Sequence, residues 1–137
     1  MKKLIGTIAI TAATLTGTLG FVGQTAADAY VGESKAISYS YAKGTAKLTK
    51  FPKGKATATV TIKRGSTNGC VYVQAAPYAV LALDGGWKTV PGSRTCGSAT
   101  ATYNDSFHLA YNGVKFRVCK DVNNAVDPCG SVVRIKG

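Results

Sequence analysis

The sequence predicts an all-β domain: an antiparallel β-sandwich, immunoglobulin-like or small Greek-key, built from roughly seven to nine short strands and closed by two disulfides. Three observations carry that prediction. Beyond residue 29 no stretch of about twelve residues keeps a helical period, whereas apolar and polar residues alternate repeatedly in segments rich in Val, Ile, Thr and Tyr. Gly, Asn and Pro punctuate these segments at short intervals. Four cysteines, Cys70, Cys96, Cys119 and Cys129, all follow residue 29, and an even count in an exported chain implies disulfides.

Residues 1–29 read as a secretory signal peptide. Lys2 and Lys3 precede an apolar run diluted by Thr and Gly, and the run closes on the small-x-small triplet Ala27-Asp28-Ala29, with cleavage expected before Tyr30. Thr7, Thr11, Thr14, Thr16 and Thr18 make the run too weakly apolar for a comfortable membrane span. With no cysteine for lipid attachment after it and no second apolar span, the expected product is a secreted, extracellular, monomeric chain. Residues 30–137 form its single domain.

Within that domain the alternation predicts strands over residues 35–42, 45–50, 55–63, 70–76, 78–84, 95–103, 107–112, 114–121 and 131–136. Turn signals separate them, among them Pro52-Lys53-Gly54, Asp84-Gly85-Gly86 and Pro91-Gly92-Ser93. The segment "FHLAYNGVKFRVC" predicts a hairpin, because Asn112 and Gly113 both accept the positive φ of a type I′ turn. "YAVLAL", residues 78–83, is apolar on both faces and predicts a central strand covered on both sides, with Pro77 at its start or in a bulge.

The cysteines fall on polar faces or at strand ends. Cys119 alternates with Lys115 and Arg117, opposite Val114, Phe116 and Val118, and Cys96 goes with Ser98, Thr100 and Thr102. Cys70, Trp87 and Cys119 have a spacing that superficially resembles an immunoglobulin domain. Arg117 stands where that family carries its corner tyrosine, however, and inward-facing cysteines would be needed for its bridge between sheets. Four cysteines allow three pairings, of which the local one, Cys70–Cys96 with Cys119–Cys129, is expected. There is no CxxC pair, and His108 is the only histidine, so neither a metal site nor a cofactor is expected.

Charge bounds the function. Removing residues 1–29 takes away Lys2, Lys3 and Asp28 and leaves +10 of the whole chain's +11, a balance that favours anionic partners. The stretch "KGTAKLTKFPKGKATATVTIKRG", residues 43–65, carries six lysines and one arginine, and no acid lies between Glu33 and Asp84. Within it Ala56, Ala58, Val60 and Ile62 alternate with Lys55, Thr57, Thr59, Thr61 and Lys63, so one face is apolar and the other a Thr carpet edged with lysine. Lys47, Lys50, Lys53, Lys55, Lys63 and Arg64 are the binding residues this pattern nominates.

Catalytic material is sparse. Glu33, Asp84, Asp105, Asp121 and Asp127 mostly sit in or beside turns, where carboxylates bond their own backbone. His108 belongs to a polar face, and no GxSxG elbow exists, so an enzyme is not expected. The tyrosines and Trp87 lack the regular spacing of an RNA-binding sheet. The loop "TVPGSRTCG" offers an alternative: a rigid loop exposing Arg94 and anchored by Cys96 has the makings of an inhibitor loop.

The chain as a whole, and "GVKFRVCKDVNNAVDPCG" in particular, resembles the small two-disulfide secreted proteins of filamentous Gram-positive, actinobacterial type, which implies export and a β-fold and brings no active residues. The functional expectation is a secreted basic protein that binds an anionic extracellular or cell-surface polymer. The alternative is an inhibitor or toxin acting on a protein such as an extracellular hydrolase.

Overall fold

The alternation seen in residues 55–63 sets the architecture. A computed structural model of the chain describes residues 29–52, 54–65, 69–80, 83–106, 111–122 and 126–137. The expected signal peptide up to residue 28, Lys53, and the expected strand over 107–112 as far as residue 110, His108 included, lie outside the described residues.

Among the described residues there are nine strands and no helix: β1 (Ala29–Tyr30), β2 (Ser34–Tyr39), β3 (Ala42–Lys50), β4 (Lys55–Lys63), β5 (Cys70–Tyr78), β6 (Lys88–Thr89), β7 (Ser98–Ser106), β8 (Gly113–Asp121) and β9 (Val133–Lys136). They form two sheets, a four-stranded one in the order β2-β3-β4-β7 and a five-stranded one in the order β1-β9-β8-β5-β6. Every neighbouring pair is antiparallel except the two-residue pairing of β1 with β9, so the fold is the expected antiparallel sandwich.

In the four-stranded sheet Ala46 and Leu48, Ala56, Ala58, Val60 and Ile62, and Ala101 and Tyr103 all point inward and are buried. They meet Val71, Val73, Ala75, Val114, Phe116, Val118 and Ile135 from the five-stranded sheet. Tyr103 and Phe116 join the layers edge to face, their ring centres 6.4 Å apart and their planes at 79°. That arrangement places the positive edge of one ring against the negative face of the other. The turn between β3 and β4 closes with Lys55 N donating to Pro52 O at 3.0 Å, and Gly54, at φ 75°, supplies the left-handed residue it needs.

The two disulfides are Cys70–Cys96 and Cys119–Cys129, the local pairs. Closing loops 26 and 10 residues apart in sequence, each removes unfolded-state freedom worth about 3 kcal/mol. Cys119 does lie on the Lys115 and Arg117 face, away from the core, yet it is fully buried. The segment carrying Cys129 pairs antiparallel beside it, with Lys120 N donating to Pro128 O and Gly130 N to Val118 O.

Two strand expectations are corrected. Residues 78–84 do not form a central strand: β5 runs through Pro77 to Tyr78 and stops, and Val80 and Leu83 are exposed, 66% and 90%. The reason lies in the partner strand, since β8 begins at Gly113 opposite Tyr78 and offers nothing further to pair with. Asp84 then turns the chain back by accepting Ala79 N at 2.9 Å, while Gly85 N bonds Pro77 O. Pro77 therefore stands near a strand end, where β6, which pairs only with Gln74 and Ala75, no longer reaches its missing N–H.

The Asn112-Gly113 hairpin turn is also absent, because neither residue has a positive φ and β8 has β5 on one side and β9 on the other. Gly113 is instead a site of close approach. A Cβ there would collide with the Ile135 carbonyl oxygen and lie 2.7 Å from Cε1 of Tyr78. Gly113→Ala is expected to destabilise by about 1–3 kcal/mol, read as a lower urea midpoint at unchanged slope. Gly86→Ala, at a position with open space around it, should stay within about 0.5 kcal/mol.

Candidate functional site

Because the inner positions of the four-stranded sheet are taken by apolar side chains, its outer face collects what is left. The register aligns these residues in rows across the strands. Ser38, Lys43, Lys63 and Ser98 make one row; Ala36, Thr45, Thr61 and Thr100 the next; Ser34, Lys47, Thr59 and Thr102 a third. A bulge at Thr49 in β3 then brings Lys50 opposite Thr57 and Asn104, and Lys55 pairs with Ser106 at the far end.

The hydroxyls are linked to one another and to their neighbours. Thr45 Oγ1 and Thr61 Oγ1 share a hydrogen bond of 2.8 Å, Thr57 Oγ1 donates to Asn104 Oδ1 at 3.0 Å, and Thr49 Oγ1 donates to Thr57 O at 3.0 Å. An open depression of about 390 Å³ lies between Lys43, Lys63, Thr61, Ser98 and Thr100. A second, of about 410 Å³, lies at the other end of the same face beside Lys55, Thr57, Asn104 and Ser106.

This face gathers five unpaired charges. Lys43, Lys47, Lys50, Lys55 and Lys63 are exposed, and none of their ammonium groups makes an ion pair, hydrogen bond or ring contact with the described residues. Lys43 and Lys63 stand directly opposite each other on neighbouring strands, a like-charge arrangement that costs on the order of 0.2–1 kcal/mol.

Many cations elsewhere are engaged. Lys88 Nζ binds both oxygens of Asp105 at 3.1 and 3.2 Å, Arg94 Nε binds Asp121 at 2.6 Å, and Lys115 Nζ binds Asp84 at 3.0 Å. On the outer side of the five-stranded sheet Arg117 and Lys115 lie 4.1 and 4.5 Å from the Trp87 ring centre, and Arg117 Nε also donates to Gln74 Oε1 at 2.8 Å. Arg134 lies over Tyr78, and Lys136 over Tyr30.

The acids are equally committed. Asp127 accepts Tyr72 OH at 2.6 Å and Val122 N at 2.9 Å, which holds its carboxyl below the usual range; burial, then the Asp127 bond, push Tyr72 up to about 12. Asp84 is lowered chiefly by its bond from Ala79 N, which opposes the raising effect of burial, and Lys115 adds to the lowering. At Asp105 burial acts to raise the pKa, but the Tyr103 hydroxyl, Lys88 and Ser106 N together outweigh it and lower the value. Burial and the Asp105 bond raise Tyr103. Glu33 Oε1 accepts Tyr30 N at 2.9 Å, closing the turn between β1 and β2. These carboxylates stabilise loops and strand ends, and each is held in a geometry that serves the fold.

The sequence-nominated residues are therefore dispersed in role. Lys47, Lys50, Lys55 and Lys63 share the outer face, whereas Arg64 turns toward the rim, its NH1 donating to Gly69 O at 3.2 Å and its Nε buried. Arg94 is tied to Asp121, and its loop packs the buried Val90 and Ser93 into the sandwich, with Ser93 Oγ donating to Val90 O and accepting from Val73 N.

Lys43, Thr45, Thr100 and Thr102 complete the face and were not nominated. The alternation of "SATATY" carried the signal for the last two, but only the pairing of β4 with β7 joins them to the rest. The Trp87 clamp had no local signal, since Trp87 reaches Lys115 and Arg117 through the pairing of β6 with β5. Comparison with protein families, curated proteins and solved structures finds no match to this chain.

Asp84, Asp105 and Asp127 bind protons more weakly in the folded than in the unfolded chain. Their contribution to stability is therefore complete above the ordinary carboxylate value of about 4 and is lost as pH falls through the lower folded values. Calorimetric melting temperatures should decline as pH drops below about 4. Asp105→Asn should lower stability at neutral pH and flatten that acid limb.

Proposed function

We propose that this is a secreted, monomeric binding protein, not an enzyme, whose four-stranded face engages an extended anionic polymer of the extracellular medium or cell surface. One observation carries the reading: the five lysines of that face have no counter-charge among the described residues, while the lysines and arginines paired with Asp84, Asp105 and Asp121 are neutralised within the fold. The two disulfides and the absence, among the described residues, of any helix long and apolar enough to cross a membrane are compatible with an exported chain.

The layout of the charges favours a polymer over a small anion. Lys55 and Lys63 close the two ends of β4, eight residues and so about 27 Å apart at the strand rise, with Lys47 on the neighbouring strand between them. A single small anion reaches one end only. A chain of repeating charge touches both, and its second contact is made at a high effective concentration. Threonine hydroxyls between the lysines donate hydrogen bonds to anionic oxygens, and a flat open face accepts a linear ligand without a deep pocket.

Retention on heparin or polyphosphate at low ionic strength, with elution by moderate salt, is the first expected result, because attraction between exposed charges is screened within about 8 Å at physiological salt. Affinity should rise steeply once the polyanion exceeds about 27 Å in length. Each lysine of the face replaced by Ala should weaken binding about fivefold, the equivalent of about 1 kcal/mol per contact. Binding by none of these polyanions at low salt, or equal binding by Lys43→Glu/Lys63→Glu and the parent chain, would sink the reading.

A further inference from the structure

The apolar residues displaced from the expected strand over 78–84 gather at one end of the sandwich. Tyr30, Lys136, Gly113 and Tyr78 form a row across β1, β9, β8 and β5. Just beyond this row Asn112 ties the loops together: its N donates to Tyr78 O, its side-chain oxygen accepts Val80 N at 2.7 Å, and its carbonyl accepts Gly137 N. Gly32 N donates to Leu48 O and so brings the turn after β1 beside the end of β3.

Four large apolar side chains project from this end, with exposures of 53% at Tyr30, 39% at Val31, 66% at Val80 and 90% at Leu83. Lys50 and Lys55, both exposed, flank the β3–β4 turn at the same end, and Lys136 lies 5.8 Å from the Tyr30 ring. The aspartates and glutamate there are already held, Glu33 by Tyr30 N, Asp84 by Ala79 N and Lys115, and Asp105, opposite Ala56, by Lys88 and Tyr103.

We propose that this end docks onto the surface of an anionic lipid bilayer, with Val80 and Leu83 entering the boundary between headgroups and acyl chains. Exposed apolar tips mark a surface that is covered in use, and the charge around them selects the occupant. Lysines beside apolar and tyrosine side chains match an interface in which negative headgroups overlie hydrocarbon. A short apolar insertion is weak alone and becomes stable binding when a basic patch supplies the second attraction. The Lys43 and Lys63 row lies at the opposite end of the sandwich, so bilayer docking leaves it open to solvent.

The test is sedimentation with vesicles of phosphatidylglycerol and, separately, of phosphatidylcholine. The parent chain should bind the first and bind the second at least tenfold more weakly. Leu83→Asp and Val80→Asp, at exposed positions, should lower partitioning onto phosphatidylglycerol at least tenfold with unchanged melting temperature and unchanged retention on heparin. Lys43→Glu/Lys63→Glu should show the reverse pattern, losing heparin retention and keeping vesicle binding; vesicle binding that Leu83→Asp lowers supports this proposal, which rests on a different end of the sandwich, even where the parent chain binds no polyanion and the polymer reading fails. No binding to phosphatidylglycerol, undiminished binding by Leu83→Asp, or a dimer in analytical ultracentrifugation that Leu83→Asp dissolves would each overturn it, the last by showing that a second copy covers the tips.

Discussion

The seating of β4 between β3 and β7 governs the rest of the structure. Its even-numbered residues Ala56, Ala58, Val60 and Ile62 are buried against the opposing sheet, and a slip of one residue would bring Lys55, Thr57, Thr59, Thr61 and Lys63 into the core instead. Burying those polar groups without partners costs several kcal/mol in all, far more than any alternative pairing returns. The register is therefore fixed by the inner face, and the outer face follows from it. Thr45, Thr61 and Thr100 share a row because Ala46, Val60 and Ala101 must point the other way.

That logic explains which parts of the fold were legible. Strands with strict alternation, such as β4, were placed from sequence to the residue because two-sided patterning has only one satisfactory orientation. The apolar run from Tyr78 to Leu83 misled for the opposite reason. Lacking alternation, its reading depended on a neighbouring strand, and β8 begins only at Gly113, opposite Tyr78. Asn112-Gly113 carried the chemistry of a tight turn, but Gly113 is there for the carbonyl of Ile135 to approach, a demand set by β9 from about twenty residues downstream. The burial of Cys119 on an otherwise polar face was likewise illegible, because the chain that pairs beside it is the segment its own disulfide brings in.

The candidate face was legible in composition and not in extent. Alternation showed that Lys55 and Lys63 lie with the threonines, and the absence of acids over residues 34–83 showed that local sequence neutralises none of them. Long-range neutralisation was the open question. Asp105 pairs with β4 across the register, opposite Ala56, yet its side chain turns to Tyr103 and Lys88 at the rim. Alternation places Asp105 with Ala101 and Tyr103 on the inner side of β7, so no carboxylate of that strand reaches the lysines of the outer face.

A fold that leaves cations unpaired needs stability from elsewhere, and its placement here is specific. The opposed Lys43 and Lys63 lie in the row that ends on Ser38 and Ser98. Cys96 immediately precedes that row's last strand, and Arg64 N, next to Lys63, bonds Gly97 O at 2.7 Å, so the Cys70–Cys96 bridge clamps the chain on one side. On the other, Gly130, next to Cys129, packs so closely on Ser38 that a Cβ would collide with its carbonyl oxygen. Both disulfides thus brace the end at which like charges repel. Two cross-links worth about 3 kcal/mol each exceed a repulsion of at most about 1 kcal/mol, so the charged row is held in place without a carboxylate of its own.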